Sequence, residues 1–375
     1  MKIAKTLGGY LARTYFANML LLLCALMALI YLFDSVELIR RASKREDVPL
    51  SLVLQMSALK LPEMSQLLFP FAILFSAMFT FWQMNRRYEL IVVRASGFSV
   101  WQFLAPLMAV AVLVAVFQVT VFNPVGAVLV SRYKQLENRY LSREESQIAV
   151  FKEGLWLRQQ TDGGEVESGE KQTESYVILH AAKVAQPHWV LKNVTLLYFD
   201  GNDHFNRRVD AKQATLQKGR WLFSDVRIYK AGQDVKYENF FALPTRLTPE
   251  DIEESFASPE TMSFWRLPGY IQTLEETGFD ATRLRVYYQN LLSQPLMFVA
   301  MILLAATVSM RLPRFQGGAI MFGLGVFIGF LVFFTSSFLQ ALGASGQIPA
   351  MLAAWSPALI CFLSGVGVMM NLEDG

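Results

Sequence analysis

Apolar residues in this chain follow two patterns. Towards both ends they form nearly unbroken runs, and through the middle they alternate with polar residues. Windows of roughly 20 apolar residues, the length that crosses a hydrocarbon core, give six candidate spans. These are Tyr15–Phe33, Leu61–Phe81, Val100–Phe122, Leu291–Met310, Gly318–Leu342 and Ile348–Met370. Pro70, Pro106, Pro295 and Pro357 fall inside them, and are tolerated where neighbouring helices satisfy the freed carbonyls.

Between the third and fourth spans the period changes. His188–Asp200 alternates through Trp189, Leu191, Leu196 and Tyr198, and Trp221–Tyr229 and Tyr176–Leu179 are further short runs of β-branched and aromatic residues. Asp162-Gly163-Gly164, Asp200-Gly201-Asn202, Lys218-Gly219 and Ala231-Gly232 supply turns between them. Glu165–Glu174 reads as a polar loop. Helical pattern is confined to the edges: Val128–Arg143 continues the third span and Pro268–Glu276 leads towards the fourth. The pattern predicts an α-helical membrane protein with six transmembrane helices and an inserted all-β domain, an antiparallel sandwich or open roll. Its expected divisions are 1–122, 123–286 and 287–375.

One charged break stands out. Trp82–Phe98, WQMNRRYELIVVRASGF, joins the second and third spans and sets Arg86, Arg87, Glu89 and Arg94 around Leu90, Ile91, Val92 and Val93. It reads as a short amphipathic helix, about 83–97, along the membrane face, with Gly97 freeing the backbone to turn back. Two readings stay open for it: an interfacial anchor, or a docking helix that offers Glu89 to a cytoplasmic partner.

Composition agrees with a membrane protein: 53% of residues are hydrophobic and 17% charged. A net charge of +3, dispersed along the chain, does not suggest nucleic acid. Cys24 and Cys361 both lie in apolar runs and imply no disulfide framework. The first apolar run lacks a small-residue cleavage site and reads as a retained span. Basic residues orient the spans. With the N-terminus inside, Lys2, Lys5, Arg13, Arg86, Arg87, Arg94, Arg311 and Arg314 face the cytoplasm, against Arg40, Arg41, Lys44, Arg45 and Lys60 outside. Both termini are then cytoplasmic and the β-rich segment lies outside.

Catalytic chemistry has no foothold. The chain contains no phosphate-binding loop, no G-x-S-x-G elbow and no H-E-x-x-H pair. His180, His188 and His204 are its only histidines, and no cysteine or regularly spaced carboxylate accompanies them as further metal ligands. No metal or cofactor is expected. The spans also lack the buried carboxylate or histidine of an ion-coupled carrier; Asn18, Gln118, Gln294 and Gln340 are their polar exceptions. Gly325 and Gly329 fit the small-xxx-small pattern of close helix contact.

Pro62-Glu63-Met64, then Leu67–Pro70, then Tyr88-Glu89-Leu90-Ile91-Val92-Val93-Arg94-Ala95-Ser96-Gly97 resemble the LptF/LptG permeases of the bacterial lipopolysaccharide exporter. With Ile348-Pro349 and Trp355-Ser356-Pro357, the detail is more similar to the LptG branch. The resemblance covers the whole plan of six spans with a domain after the third. It implies a periplasmic β-jellyroll and a heterodimer with an LptF-like permease in the inner membrane. It also implies a cytoplasmic LptB-like ATPase dimer, and an LptC-like single-span protein that receives the extracted lipid on its way to a periplasmic bridge. It assigns Arg86, Arg87, Glu89, Leu90, Arg94 and Gly97 to ATPase coupling, with Glu89 at the acidic contact. First and fifth spans are expected to gate against the partner's fifth and first.

Lipid-contact residues follow from the same resemblance. If the first span stays helical past Phe33, a rise of about 1.5 Å per residue carries Arg40, Arg41 and Lys44 to headgroup depth, where arginine forks bind phosphate. The basic pair stands further from Asp34 than the family pattern implies. Solvated neutralisation by Asp34, Glu37, Glu46 and Asp47 is the competing reading. The inward-facing Trp189, Leu191, Leu196, Tyr198 and Phe223 are expected to line an acyl-chain groove, although a sealed core uses the same alternation. The alternative function is a membrane-anchored β-domain scaffold that transports nothing.

Overall fold

The computed structural model describes residues 2–43, 49–95, 99–140, 147–151, 154–160, 174–185, 189–200, 202–217, 219–230, 232–245, 258–277, 280–311 and 318–373. The chain divides into two compact units. One comprises Met1–Leu141, Glu260–Trp265 and Thr282–Gly375; the other, Ser142–Pro259 and Arg266–Ala281.

The first unit is helical. Helix α1 is Lys2–Ala42, α2 Leu50–Arg86, α3 Glu89–Ala95, α4 Val100–Phe117 and α5 Asn123–Tyr140. Among the described residues, six helical stretches are long and apolar enough to cross a membrane. Most outrun the predicted windows because the windows measured the apolar run and not the helix. Thus α1 continues past Phe33 to Ala42. At the start of α4, Ser99 caps the helix: its hydroxyl accepts from the Gln102 backbone N–H at 3.3 Å, and the Gln102 side chain accepts from the Ser99 N–H at 3.4 Å.

The third span is one long helix with a fault in it. A π-helical turn, Gln118–Phe122, joins α4 to α5. Pro124 lacks the N–H that would reach the Thr120 carbonyl, and the Trp265 indole N–H donates to that carbonyl instead, at 3.2 Å. Beside it Asn123 is a hub. Its amide donates to Tyr287 Oη at 3.0 Å and accepts from the Phe264 N–H at 2.8 Å, and the Tyr287 hydroxyl donates to Gln66 Oε1 at 3.2 Å.

Three further spans follow: α7 Thr282–Arg311, α8 Gly318–Ala344 and α9 Ala350–Glu373, where α6 is Leu267–Thr277 of the second unit. Helix α9 packs along α7, so closely that a Cβ on Gly365 would sit 2.7 Å from Leu303 Cβ. Gly325 and Gly329 face Met78, Leu74 and Phe71, so the small-residue pattern serves contact with α2 of the same chain. The core gathers Tyr15, Ile73, Met78, Phe81, Leu104, Phe298 and their neighbours.

Among the described residues, the second unit holds a seven-stranded antiparallel sheet in sequence order. Its strands are β1 Gln147–Phe151, β2 Gly154–Gln160, β3 Glu174–Ala185, β4 Val190–Asp200, β5 Phe205–Gln217, β6 Arg220–Lys230 and β7 Lys236–Pro244. The sequence marked parts of β3, β4 and β6; β1, β2, β5 and β7 are additions. Gly219 and Gly232 turn the chain at φ +80° and +75°, which their lack of a Cβ allows. Of the other expected turn and loop residues, 162–164, 165–173, 201, 218 and 231 lie outside the described residues.

The sheet rolls on itself. Gln159 on β2 donates to the Pro244 carbonyl at the end of β7, at 2.6 Å. Helix α6 packs against β3 and buries Leu267, Ile271 and Leu274, one stripe at helical spacing. Strand alternation slips once along a line. Pairing skips Ala182, Asn193, Lys212, Asp225 and Asn239, which lie opposite one another on β3 to β7. Asn193 and Asp225 take φ of 53° and 55° there. Either side of the crease, Leu191 and Val194, Ala211 and Ala214, and Phe223 and Val226 all point inward. Two consecutive outward residues separate each pair. The crease explains why the alternation of β4 moves from odd numbers at Trp189 and Leu191 to even numbers at Leu196 and Tyr198.

Candidate functional site

The charged break between the second and third spans resolves into a turn and a short helix. Residues 82–86 complete α2, where Arg86 lies 5.3 Å over the Trp82 ring. The chain then reverses through Arg87 and Tyr88, the latter at φ 58°, an uncommon conformation for a bulky residue. Helix α3 begins at Glu89. Val93 is buried and Leu90 packs against the core of the helical unit, while Val92 faces out. The carboxylate of Glu89 at the helix N-terminus is engaged within its own chain. Tyr10 of α1 donates to it at 3.3 and 3.4 Å, and Arg87 lies 3.9 Å away. The Arg94 side chain and Gly97 lie outside the described residues. Sequence reasoning named Glu89 but missed Tyr10, which is 79 positions distant.

At the other end of α1, Arg40 and Arg41 converge on one carboxylate. Glu37 accepts from Arg40 Nε and a terminal guanidinium nitrogen, both at 2.8 Å, and from Arg41 Nε at 2.9 Å. All three side chains stay substantially exposed, and one carboxylate facing two guanidiniums leaves a net positive charge. Lys44, with Glu46 and Asp47, lies outside the described residues. Asp34 does not join this group. It pairs with Lys60 of α2 at 2.9 Å and accepts from Ser57 at 2.9 Å, and Ser35 donates to Ser57 at 3.1 Å. This mostly buried network ties α1 to α2 and was not foreseen, because Asp34 and Lys60 read from sequence only as charges bounding apolar runs.

In the β unit, Trp189, Leu191, Leu196, Tyr198 and Phe223 share the inner face, and all are buried. Arg207 is buried with them, its guanidinium 4.2 Å over the Tyr198 ring and 5.9 Å from Phe241. Alternation identified the apolar positions. An inward arginine on a strand reading FNRRVDAKQATLQ gave no such signal. Among the described residues no cluster of His, Cys, Asp and Glu could hold a metal ion.

Burial also separates the spans. Within the most apolar window of each, 11% of residues in the first and 17% in the fifth are buried, against 33–61% in the other four. On α8 the rings of Phe330, Phe334 and Phe338 stack along an exposed face at 6.4 Å spacing.

Six apolar helices with an antiparallel sheet inserted after the third define a multi-pass membrane protein with a β domain. The family description "Lipopolysaccharide export system permease LptF/LptG" matches residues 9–371, and the chain belongs to this family. The chain is similar to the lipopolysaccharide export system permease protein LptG of Haemophilus influenzae, 22% identical over 95% of both chains. It is also similar to the protein of that name in Escherichia coli, 20% identical over 97% of this chain and 98% of the relative.

Proposed function

We propose that this chain is the LptG-like permease subunit of an ABC transporter that extracts lipopolysaccharide from the inner membrane and passes it to a periplasmic bridge. The observation that carries this reading is the family match across nearly the whole chain, spans and β domain together. In this reading the weakly buried first and fifth spans meet an LptF-like permease, and closure of the cavity between the two expels the lipid. An LptB-like ATPase dimer supplies the energy. It docks on the segment from Arg86 to Gly97, so the N- and C-termini are cytoplasmic and the β domain periplasmic. An LptC-like jellyroll takes the lipid onward.

Two assignments are sharpened by geometry. Arg40 and Arg41 share Glu37, so a lipid phosphate would displace a carboxylate already held by both forks. The inner face of the β roll is filled by its own side chains, so acyl chains would enter only as its edges part. Extraction of the full chain from its native membrane in detergent tests the reading. Co-purification of an ATPase, a second permease and lipopolysaccharide, with hydrolysis stimulated by the lipid, is expected. A stable complex indifferent to nucleotide would favour a scaffold. Within the complex, Glu89→Ala is expected to lower complex yield or lipid-stimulated hydrolysis. A charge-assisted contact of this kind contributes on the order of 1.5–3 kcal/mol. Unchanged yield and hydrolysis would confine Glu89 to its contacts with Tyr10 and Arg87.

A further inference from the structure

The crease in the sheet opens a cavity of about 570 Å³ on the outer face of β4 to β7. Ligand pockets for small molecules are of this size, but the lining here is polar and fits a different kind of ligand. One wall is a fixed frame: Asp210 accepts from Thr195 at 2.9 Å and from Arg208 Nε at 2.9 Å. The opposite wall carries Arg227 and Tyr237, cross-strand partners whose guanidinium and ring lie 5.9 Å apart. Tyr237 is 72% exposed. Along the crease stand Asn193, Lys212, Asp225 and Asn239, whose side chains have no hydrogen-bond or ion-pair partner among the described residues.

The charges decide the ligand class. Arg208, Lys212 and Arg227 balance Asp210, Asp225 and Glu238, so the lining is neutral overall. A bare phosphate would meet three carboxylates and a metal ion three cations. A polyhydroxylated ring instead needs donors and acceptors side by side, because each hydroxyl both gives and takes a hydrogen bond. The uncommitted amides, ammonium and carboxylate supply both, and an exposed tyrosine ring offers a flat apolar surface to the C–H face of a sugar. The crease brings these groups together by turning two consecutive residues outward on adjacent strands. Bulged backbone serves this purpose next to binding sites generally.

We propose that this cavity is a saccharide site and takes the sugar portion of the exported glycolipid. The assignment of the sugar's source rests on the proposed function; the carbohydrate chemistry does not. The test uses the full chain in its detergent-extracted complex and the lipid-free core oligosaccharide released from lipopolysaccharide by mild acid. Binding is read by calorimetry and saturation-transfer NMR for the wild type, Tyr237→Ala and Arg227→Ala. Both substituted positions are exposed, and unchanged thermal melting verifies the fold.

Saturable wild-type binding that weakens at least tenfold in both variants and is not displaced by inorganic phosphate is the expected result. No saturable binding, equal binding by the variants, or displacement by phosphate overturns the site. Preference for soluble peptidoglycan fragments overturns the assigned source. Lipid-stimulated hydrolysis is measured on the same wild-type complex. If it is present while the oligosaccharide fails to bind, the saccharide site falls and the export reading stands. If it is absent while the oligosaccharide binds with the expected losses, the export reading falls and the carbohydrate site stands.

Discussion

The two units of this protein bury opposite things. In the β unit Trp221 and Phe223 are fully buried, and of the basic residues of β5 Arg208 and Lys212 face out while Arg207 alone turns inward. In the helical unit Phe330, Phe334 and Phe338 are exposed, while several polar side chains turn inward and pair. Asn18 donates to Thr80 at 3.0 Å, and Asn123, Tyr287 and Gln66 form a chain. The same residue types obey opposite rules because the solvents differ. Hydrocarbon does not penalise an exposed phenylalanine, but it leaves any polar group without a partner.

The largest effect that separates the units comes from phenylalanine. Phe223→Ala is expected to destabilise the β unit by about 3–5 kcal/mol, the range for emptying a packed aromatic site. Phe334→Ala is expected to change the fold of the isolated subunit by roughly 0.5 kcal/mol or less, and to show itself only in association with another permease. Thermal melts of the detergent-solubilised chain, followed by near-ultraviolet circular dichroism, check both. Equal losses would erase the contrast.

Next comes the Asp34 network. Asp34→Ala strands Lys60 and Ser57 between α1 and α2, at an expected cost of about 1–3 kcal/mol. Adding Lys60→Met should recover part of the loss, because an unpaired ammonium is then no longer buried. If the double variant is no more stable than the single one, the pair is not what ties these helices.

A smaller effect is expected at the fault in the third span. Trp265→Phe removes the donor to the Thr120 carbonyl and is expected to cost about 0.5–1.5 kcal/mol. The readout is faster amide hydrogen exchange confined to residues near 118–124. Uniform exchange along the span would show that the indole does not support the π turn.

The smallest is a pH effect on the hairpin between β4 and β5. The backbone N–H groups of His204 and Asn202 donate to Asp200 and hold its carboxyl below the ordinary carboxylate range. A lowered folded value means that folding favours the ionised form. This contribution is fully present above about pH 4 and is lost as pH falls through the folded value. Protection of the 202 and 204 amides, taken relative to their intrinsic exchange rate at each pH, should therefore fall on acidification in the wild type. Asp200→Asn keeps an acceptor without the titration, and its profile should stay flat.

The six spans and the charged break were legible because both depend on composition along a single helix or turn. The sheet was half legible. Alternation marked β4 and β6, but β5 reads as arginines, lysines and glutamines around small inward residues, Val209, Ala211 and Ala214. The slip at Lys212 also breaks its period. Pairings were not legible at all. Tyr10 with Glu89, Asp34 with Lys60 and Asn123 with Tyr287 are 79, 26 and 164 positions apart. A single sequence records which groups need partners, and not which partner the fold supplies.

The π turn in the third span acts as a phase shifter. Buried positions run through Leu107, Ala111, Val114, Ala115, Gln118 and Val119, and the same face continues at Asn123, Ala127, Val130 and Tyr133. One residue corresponds to about 100° of rotation in a helix with 3.6 residues per turn. Deleting a single residue from 119–122 would close the turn to a regular pitch and leave the outer half facing as it does now, whereas closing the turn with all its residues kept would swing that half by this angle. In the second case Val130 and Tyr133 would leave the interior and Leu129 and Arg132 would take their places. The turn thus takes up one surplus residue that, in an unbroken α-helix, would rotate everything beyond it.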